Sequence, residues 1–435
     1  MRWTVLSDNR SIDSRLETEH GLSILFETEH HRVLLDTGAS DVFIRNAERM
    51  GVDLSGVDCV FISHGHNDHA GGLSHLLNIN NRAKIVVSPD ALTGRFYSKR
   101  GGLHSITTEW PRYMQDRLLL VNETREIADG IHVIARIPLV RPMPKGNQNL
   151  FVQDANGDYV HDDFRHELAL YADGFLFTGC AHSGIENILA ACPGPVNTVV
   201  GGFHLLDGYE SDQELTELAQ RLKANYPNTQ FYTSHCTGDG VFEVMRIVMN
   251  EQIQQFKCGK HKGGILLLPL RSEEIIAFKE EMQEAFQYGF EAYNKEGGES
   301  TNQWQVLPDL DFYQSLEAQG AEAYEAINEN GQRVGGAILS ISKADRLGEL
   351  AFLYVKVGVQ SKGIGQAIWK TIESMHPEIK VWETCTPYFD RRNIHFYINR
   401  CGFHAVEFFN EHYPDPNMPE QFDQEDGLFK FEKRL

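Results

Sequence analysis

The chain has 435 residues, too many for one ordinary hydrophobic core, so two domains or three are expected. Its net charge of −21 argues against a broad attraction to nucleic acid or to an anionic membrane surface. No run approaches the roughly 18 consecutive apolar residues of a membrane span, and the seven scattered cysteines, without a C-x-x-C pair, point to a reducing cytoplasm rather than a disulfide framework.

Met1 to Asp8 turns polar too soon for a secretory signal and is expected to form the first strand. Short β-branched or aromatic runs bounded by Gly, Asp, Asn or Pro then predict strands at Leu22–Glu27, Arg32–Asp36, Cys59–Ser63, Lys84–Val87 and Gly130–Ala135. Further strands are expected at Glu167–Tyr171, Phe175–Thr178, Val196–Val200 and Gln230–Thr233. Helices are expected at Asp41–Met50, Ile185–Ala191 and Asp212–Asn225, the last with Leu215, Leu218, Ala219 and Leu222 on one face. Such alternation predicts a layered α/β domain.

Gly263–Pro269 reads as the closing strand of that domain, which puts the boundary near Leu270, with domains 1–270 and 271–435. A helix follows from Ser272, a favourable N-cap, with Ile275, Phe278, Met282, Phe286, Gly289 and Tyr293 recurring at helical spacing. The polar stretch Lys295–Ser300 ends it, and the acidic segment Glu420–Asp426 predicts a solvated loop before a last strand, Leu428–Phe431.

Chemistry concentrates at His64-Gly65-His66-Asn67-Asp68-His69, directly after the apolar run Val60–Ser63. Neutral imidazole and carboxylate are the ligands that zinc and similar divalent ions prefer. A pair of such ions needs about six to eight protein ligands, so others must come from other strand ends. His166, Cys180, His182, His204 and His235 all stand at such ends. His20, His30, His31, His104, His132 and His161 do not, and are expected to be satisfied by backbone carbonyls.

The pattern H-x-H-x-D-H resembles the signature of the metallo-β-lactamase superfamily. Leu34-Leu35-Asp36-Thr37-Gly38 resembles that family's "LLDTG" strand, and Leu176-Phe177-Thr178-Gly179-Cys180 its "LFTGD" strand, with Cys180 where a metal-bridging aspartate is usual. The segment Thr178–Asn187 is similar to a "TGCxHxGI.N" subgroup carrying metal-dependent hydrolase labels, some members being linked to pterin chemistry. Over about residues 1–270 the resemblance implies an αββα sandwich with two divalent metal ions, for which soft sulfur favours zinc. It further implies one ion on His64, His66 and a third histidine, best matched by His166. The second would lie on Asp68, His69 and His235, with Cys180 or else His182 in the bridging place and His204 as a further candidate. Metal-bound water would supply hydroxide, with Asp68 as proton acceptor, against an ester, amide, lactone or phosphodiester. Asp8 and Asn9, at the end of the first strand, are expected to line the pocket.

In the second domain, Val355-Lys356-Val357-Gly358-Val359-Gln360-Ser361-Lys362-Gly363-Ile364-Gly365 precedes an expected helix, Gln366–Met375. Glycines before a helix let free N–H groups meet an anion, and Lys362 adds a charge. Then come a strand at Lys380–Thr384, the run Asn393–Phe403 and a strand at His404–Phe409. Gln-x-x-Gly-x-Gly, together with a closing "FYxxxGF" segment, resembles the GNAT acetyltransferase superfamily over about residues 272–435. That implies a mixed α/β fold and acetyl-CoA bound at Val355, Val357, Gln360, Lys362, Gly363, Ile364 and Gly365. Tyr397 would protonate the departing thiolate, and Glu383 or Glu349 would deprotonate the amine through water. Asp390 stands where the family often has asparagine.

The combined expectation is a bifunctional cytoplasmic enzyme acting on small molecules, a dinuclear-metal hydrolase fused to an N-acetyltransferase. One alternative is an acetyltransferase alone, its metal domain serving as a structural or ligand-sensing module. Another is a nucleic-acid-processing metallohydrolase, disfavoured by the acidic charge. Di-iron redox chemistry is also disfavoured, because the metal motif lacks glutamate.

Overall fold

The structure is a computed structural model that describes residues 1–206, 208–295, 307–360, 363–388, 390–414 and 427–435. The expected polar break at residues 296–300, Lys362 and the expected acidic loop at residues 420–426 lie outside the described residues. Two units are present, residues 1–48 with 53–263, and residues 49–52 with 264–435.

In the first unit the β-branched and aromatic runs pair, among the described residues, into two seven-stranded sheets. One runs in the order His261–Lys262, Arg2–Ser7, Ser23–Glu27, Arg32–Leu35, Cys59–Phe61, Lys84–Val87, Leu118–Leu120. The other runs Ile253–Gln255, Gln230–Thr233, Thr198–Gly201, Phe175–Thr178, Ala169–Ala172, Ile131–Ile134, Arg125–Ala128. Trp3, Ile24, Phe26 and Phe61 of the first share one core with Leu170, Phe175, Phe177 and Tyr232 of the second. Phe26 stacks on Phe175 with centroids 4.3 Å apart.

Helices Asp212–Asn225 and Asp239–Met249 cover the second sheet, with Leu215, Leu222, Phe242 and Met245 packed with Val199 and Phe231. Ser211 opens the first of these as a capping box with Glu214, which satisfies two otherwise orphaned N–H groups. Helices Val42–Arg49 and Leu73–Ile79 fall between parallel strands of the first sheet and bury Phe43, Leu73 and Leu76. The layers make an αββα sandwich.

Parallel pairing decides where chemistry can gather. Arg32–Leu35, Cys59–Phe61 and Lys84–Val87 run parallel, as do Phe175–Thr178, Thr198–Gly201 and Gln230–Thr233. Within each set the carboxyl ends lie on one edge. Asp36 (φ 57°), Ala181 (φ 54°), His204 (φ 51°) and His235 (φ 51°) follow such ends in the left-handed region. That conformation is uncommon outside glycine, and it turns the chain sharply as it leaves the sheet.

A small sheet, in the order Tyr159–His161, Leu150–Gln153, Phe96–Ser98, His104–Ser105, was not foreseen from the sequence. It is tied to the metal motif through the chain that follows it. Asn67 N–H donates to the Ile106 carbonyl at 2.8 Å, and Thr108 N–H to the Gly65 carbonyl at 3.3 Å.

The second unit holds one sheet in the order Leu266–Pro269, Ala321–Ile327, Arg333–Ser342, Leu347–Val355, Val381–Pro387, Leu428–Arg434, His404–Phe409. Leu266–Pro269 therefore pairs with Ala321–Ile327 and does not close the first domain, as the sequence reading had it. A wholly apolar run signals burial without naming its partner, and Leu267 is buried in the second core. The parallel strands Leu347–Val355 and Val381–Pro387 pair only from Leu347 to Glu349 against Val381 to Glu383, and their ladder ends there. Helix Ile275–Lys295 buries Phe278 and Met282, while Trp369 meets Trp382 edge-on at 5.2 Å.

Candidate functional site

Three side chains of the first unit bring unpartnered buried nitrogens to one place. The Nε2 atoms of His64, His66 and His182 have no hydrogen-bond partner, and these residues offer ligand atoms within 4.8 Å of one another. Buried polar atoms are nearly always paired, so three orphans facing one point have the character of a metal site. Two of the rings are aimed from behind: His64 Nδ1 lies 2.8 Å from Ser63 Oγ, and His182 Nδ1 lies 3.1 Å from Asn147 Oδ1. Both Glu167 oxygens fix the turn carrying His182, accepting from His182 N–H at 2.6 Å and Ser183 N–H at 2.7 Å.

His166, which the family order suggested as third histidine, is occupied otherwise. Its Nδ1 accepts from Gly65 N–H at 3.1 Å, and its Nε2 lies 3.0 Å from Asp162 Oδ2. With both nitrogens engaged it supports the metal-motif backbone, and the unpartnered Nε2 grouped with those of His64 and His66 is that of His182. The spacing could not reveal this, because both histidines stand near strand ends.

A second cluster adjoins the first. Cys180 Sγ and His235 Nε2 each lie 3.1 Å from His69 Nε2, and Asp68 Oδ2 lies 3.3 Å from His235 Nε2 and 3.6 Å from His69 Nε2. Asp36 organises this side: Oδ2 is 2.6 Å from His69 Nδ1, and its carboxylate accepts from Ser63 N–H and Oγ–H, each at 2.7 Å. Asp8 accepts from His235 N–H at 3.1 Å, and Asn9 Oδ1 lies 3.1 Å from His235 Nδ1. Asp8 and Asn9 thus stand behind His235 rather than lining the pocket. His204 differs from the other histidines: Nε2 lies 3.2 Å from an Arg100 guanidinium nitrogen, and only Nδ1 is unpartnered.

The second unit presents a turn and a buried phenol. Gly363, in the left-handed conformation (φ 76°), caps helix Ile364–Met375, and Gln360 Nε2 donates to the Val355 carbonyl at 3.2 Å. Val355 and Val357 lie on the half-buried approach to this turn, while Gly365 is in the first turn of the helix. Tyr397 is 6% exposed and packs against Phe403 and Phe431. Glu383 faces Glu349 across the parallel pairing and binds Lys430 Nζ at 3.0 Å. Asp390 caps its helix by accepting from Asn393 N–H at 2.8 Å.

Comparison with known proteins agrees with both halves. Residues 17–144 match the model of the metallo-beta-lactamase superfamily, and residues 282–403 that of the acetyltransferase (GNAT) family. The solved structure of Tm1679, described as a metal-dependent hydrolase of the beta-lactamase superfamily, is 31% identical with a TM-score of 0.52, covering 60% of this chain and 98% of that one. The uncharacterized protein YrkN of Bacillus subtilis is 36% identical over 37% of this chain and 83% of its own length. The 7,8-dihydropterin-6-methyl-4-(beta-D-ribofuranosyl)-aminobenzene-5'-phosphate synthase of Methanocaldococcus jannaschii is 26% identical over 61% of this chain and 95% of its own. The chain belongs to the metallo-β-lactamase superfamily, fused to a GNAT acetyltransferase domain.

Electrostatics in the metallo-β-lactamase domain favour cation binding. Burial pushes the imidazoles of His64 and His182 well below their usual range, and burial with His166 pushes His66 down to about 3, so all three keep the lone pairs a metal requires. Burial opposes ionisation of Asp68, but His69 and His235 outweigh it and hold the carboxyl well below the usual carboxylate range. Burial disfavours charge on His235 too, yet Asp68, Cys236 and Asp8 raise it to about 9. Without a cation, burial and the neighbouring Cys236 push the Cys180 thiol up.

These groups border a cavity of about 270 Å³, whose lining includes Cys180, His182 and His204. Several of its lining residues were not singled out from the sequence. His20 stacks on His235 at 4.9 Å and reaches Asp68 at 3.4 Å, although it was set aside as an ordinary histidine. His104 meets its expected backbone carbonyl, Nδ1 lying 2.8 Å from the Gly102 oxygen, but it also lines the cavity together with Arg100, and Cys236 lies within 4.8 Å of Cys180 and His235. None follows a metal-site strand end in the familiar pattern, apart from Cys236, whose place directly after His235 was a usable signal.

Proposed function

We propose that the protein is a bifunctional enzyme of small-molecule metabolism, a dinuclear-metal hydrolase joined to an acetyl-CoA-dependent N-acetyltransferase. The observation that carries the hydrolase half is the convergence of the orphaned Nε2 atoms of His64, His66 and His182 beside Cys180, Asp68, His69 and His235. We assign the first three to one divalent ion and the last four to a second, with zinc favoured by the thiolate. Bound ions would supply Lewis acidity and an activated water for attack on an ester, amide, lactone or phosphodiester. The residues do the rest: Asp36 and Asn147 hold the imidazoles in register, and Asp68, ionised, accepts a proton beside His20 and His235.

In the acetyltransferase half, the N–H groups of the turn at Gly363, Ile364 and Gly365 would receive the CoA pyrophosphate. Tyr397 gives its proton to the departing thiolate, and Glu383 takes one from the amine through water. Seven free cysteines, and no helix among the described residues long and apolar enough to cross a membrane, support a cytoplasmic setting. The test is metal content and coenzyme A binding on the purified full chain. About two equivalents of metal and one of coenzyme A are expected; a chain that takes up no metal loses the hydrolase assignment.

A further inference from the structure

Two thiols line the cavity beside the metal-site residues. Cys180 and Cys236 are both buried, and their sulfurs, with a ring nitrogen of His235, lie within 4.8 Å of one another. Sheet order brings them together, because Phe175–Thr178 and Gln230–Thr233 run parallel on either side of Thr198–Gly201. Ala181 (φ 54°) just after one thiol and His235 (φ 51°) just before the other take the left-handed conformation, which turns each chain sharply at its cysteine. The strand between them leads into Gly202, where an added β-carbon would collide with Cys236 Sγ. The missing side chain is the space this sulfur occupies. Backbone groups hold it there: Cys236 Sγ accepts from His204 N–H at 3.3 Å and donates to the Cys180 carbonyl at 3.8 Å. Cys180 Sγ is also 3.1 Å from His69 Nε2. One sulfur is therefore within reach of two partners, an imidazole of the second metal-site cluster and the Cys236 thiol.

We propose that Cys180 and Cys236 are a reversible oxidation site, a dithiol that hydrogen peroxide converts to a disulfide and small thiols restore. Disulfide sulfurs stand about 2 Å apart. A pair already within 4.8 Å is close enough for rotation about the two Cα–Cβ bonds to close the gap, and Gly202 places no side chain in the way. The peroxide molecule is little larger than the water that a cavity of about 270 Å³ admits. One thiol attacks the O–O bond, giving a sulfenic acid and water. The other sulfur then displaces hydroxyl from the sulfenic sulfur, forming the S–S bond and a second water. The two thiol protons leave in those waters; the sulfurs lose two electrons and the peroxide gains them. Two small thiols reverse the reaction by exchange and depart as their own disulfide. A disulfide sulfur has no thiolate charge to offer a metal, so oxidation and occupation of the second ion's place exclude each other. That consequence rests on the hydrolase reading, while the dithiol itself stands on the sulfur geometry.

Full-length protein, chelated or loaded with zinc, is treated with a small excess of hydrogen peroxide, alkylated and digested without reduction. Mass spectrometry then identifies the cross-linked peptides. The chelated native chain is expected to give the Cys180–Cys236 peptide pair as its main product, lost on treatment with dithiothreitol. In zinc-loaded protein the pair should form more slowly and release about one equivalent of zinc to a chromogenic chelator, taken up again after reduction. In Cys236→Ser the oxidised Cys180 has no partner thiol, so it should pass on to sulfinic acid and regain little zinc on reduction. Unlinked Cys180 and Cys236 in the chelated native protein, or cross-links scattered over the other cysteines, overturn the proposal. Zinc lost to peroxide without that peptide pair overturns it too. If the pair forms while zinc stays bound, the oxidation site stands and Cys180 leaves the ligand set. A chain that binds no zinc yet forms the pair keeps the oxidation site and loses the hydrolase reading.

Discussion

Cys180 Sγ stands 3.1 Å from His69 Nε2, a thiol at the point where an aspartate is usual in this superfamily. Thiolate binds softer ions than carboxylate does, so on the proposed assignment this one atom would set metal preference more than the surrounding histidines. Cys180→Ala should weaken the second ion about tenfold or more, whereas Cys180→Asp should retain two ions and shift preference toward manganese or iron. In the cobalt-substituted protein, a sulfur-to-cobalt absorption band is expected for the native chain and for neither variant. Its persistence in Cys180→Ala would show that Cys236 is the ligand instead.

Asp36 touches no substrate, yet it joins the two halves of the site through His69 Nδ1 and Ser63, and Ser63 in turn reaches His64. Removing such a support commonly costs ten- to a hundredfold in metal affinity. Asp36→Ala should lose about that much in competition with a chromogenic chelator, and Asp36→Asn rather less. Equal affinity in all three proteins would mean that backbone packing alone aims the rings.

The sequence carried the fold of the first unit well because its strands are short apolar runs with sharp punctuation, and parallel strands must end on a common edge. His64, His66, His69, Cys180 and His235 were legible for the same reason, each standing at or just beyond such an end. The grouping of His182 rather than His166 with His64 and His66 was not, since it depends on the turn at Ala181 and on Asp162 taking the His166 ring. Arg100 and His104 reach the cavity through a small sheet of weak strands, whose pairing with Leu150–Gln153 joins segments far apart in the chain. Leu266–Pro269 was assigned to the wrong unit because its apolar pattern does not identify its partner strand.

Protonation should limit stability from both sides when metal is removed. The folded chain holds His66 down at about 3, against roughly 6.5 when unfolded, so its contribution is complete above 6.5 and drains away as pH falls toward 3. His235 has the opposite sign. Raised to about 9 by Asp68, it stabilises fully below about 6.5, and that contribution is lost as pH rises through 9. In chelated full-length protein, His66→Gln should flatten the acid side of the thermal-midpoint profile, and His235→Gln the alkaline side. Parallel profiles for native and variant proteins would remove these residues as the cause.

Tyr397 lies in the core of the acetyltransferase unit, where burial pushes its phenol above the usual range while Thr384 opposes the shift. A phenol that stays protonated is poor as a base and suitable as a proton donor to a departing thiolate. Tyr397→Phe keeps the ring that packs on Phe403 and Phe431, so folding and acetyl-CoA affinity should hardly change. Turnover of acetyl-CoA against a panel of small amines should then fall about a hundredfold, the lower end of what a positioned acid contributes. A kcat within twofold of the native value, at unchanged KM for acetyl-CoA, would assign Tyr397 to packing alone and leave the thiolate to be protonated by water.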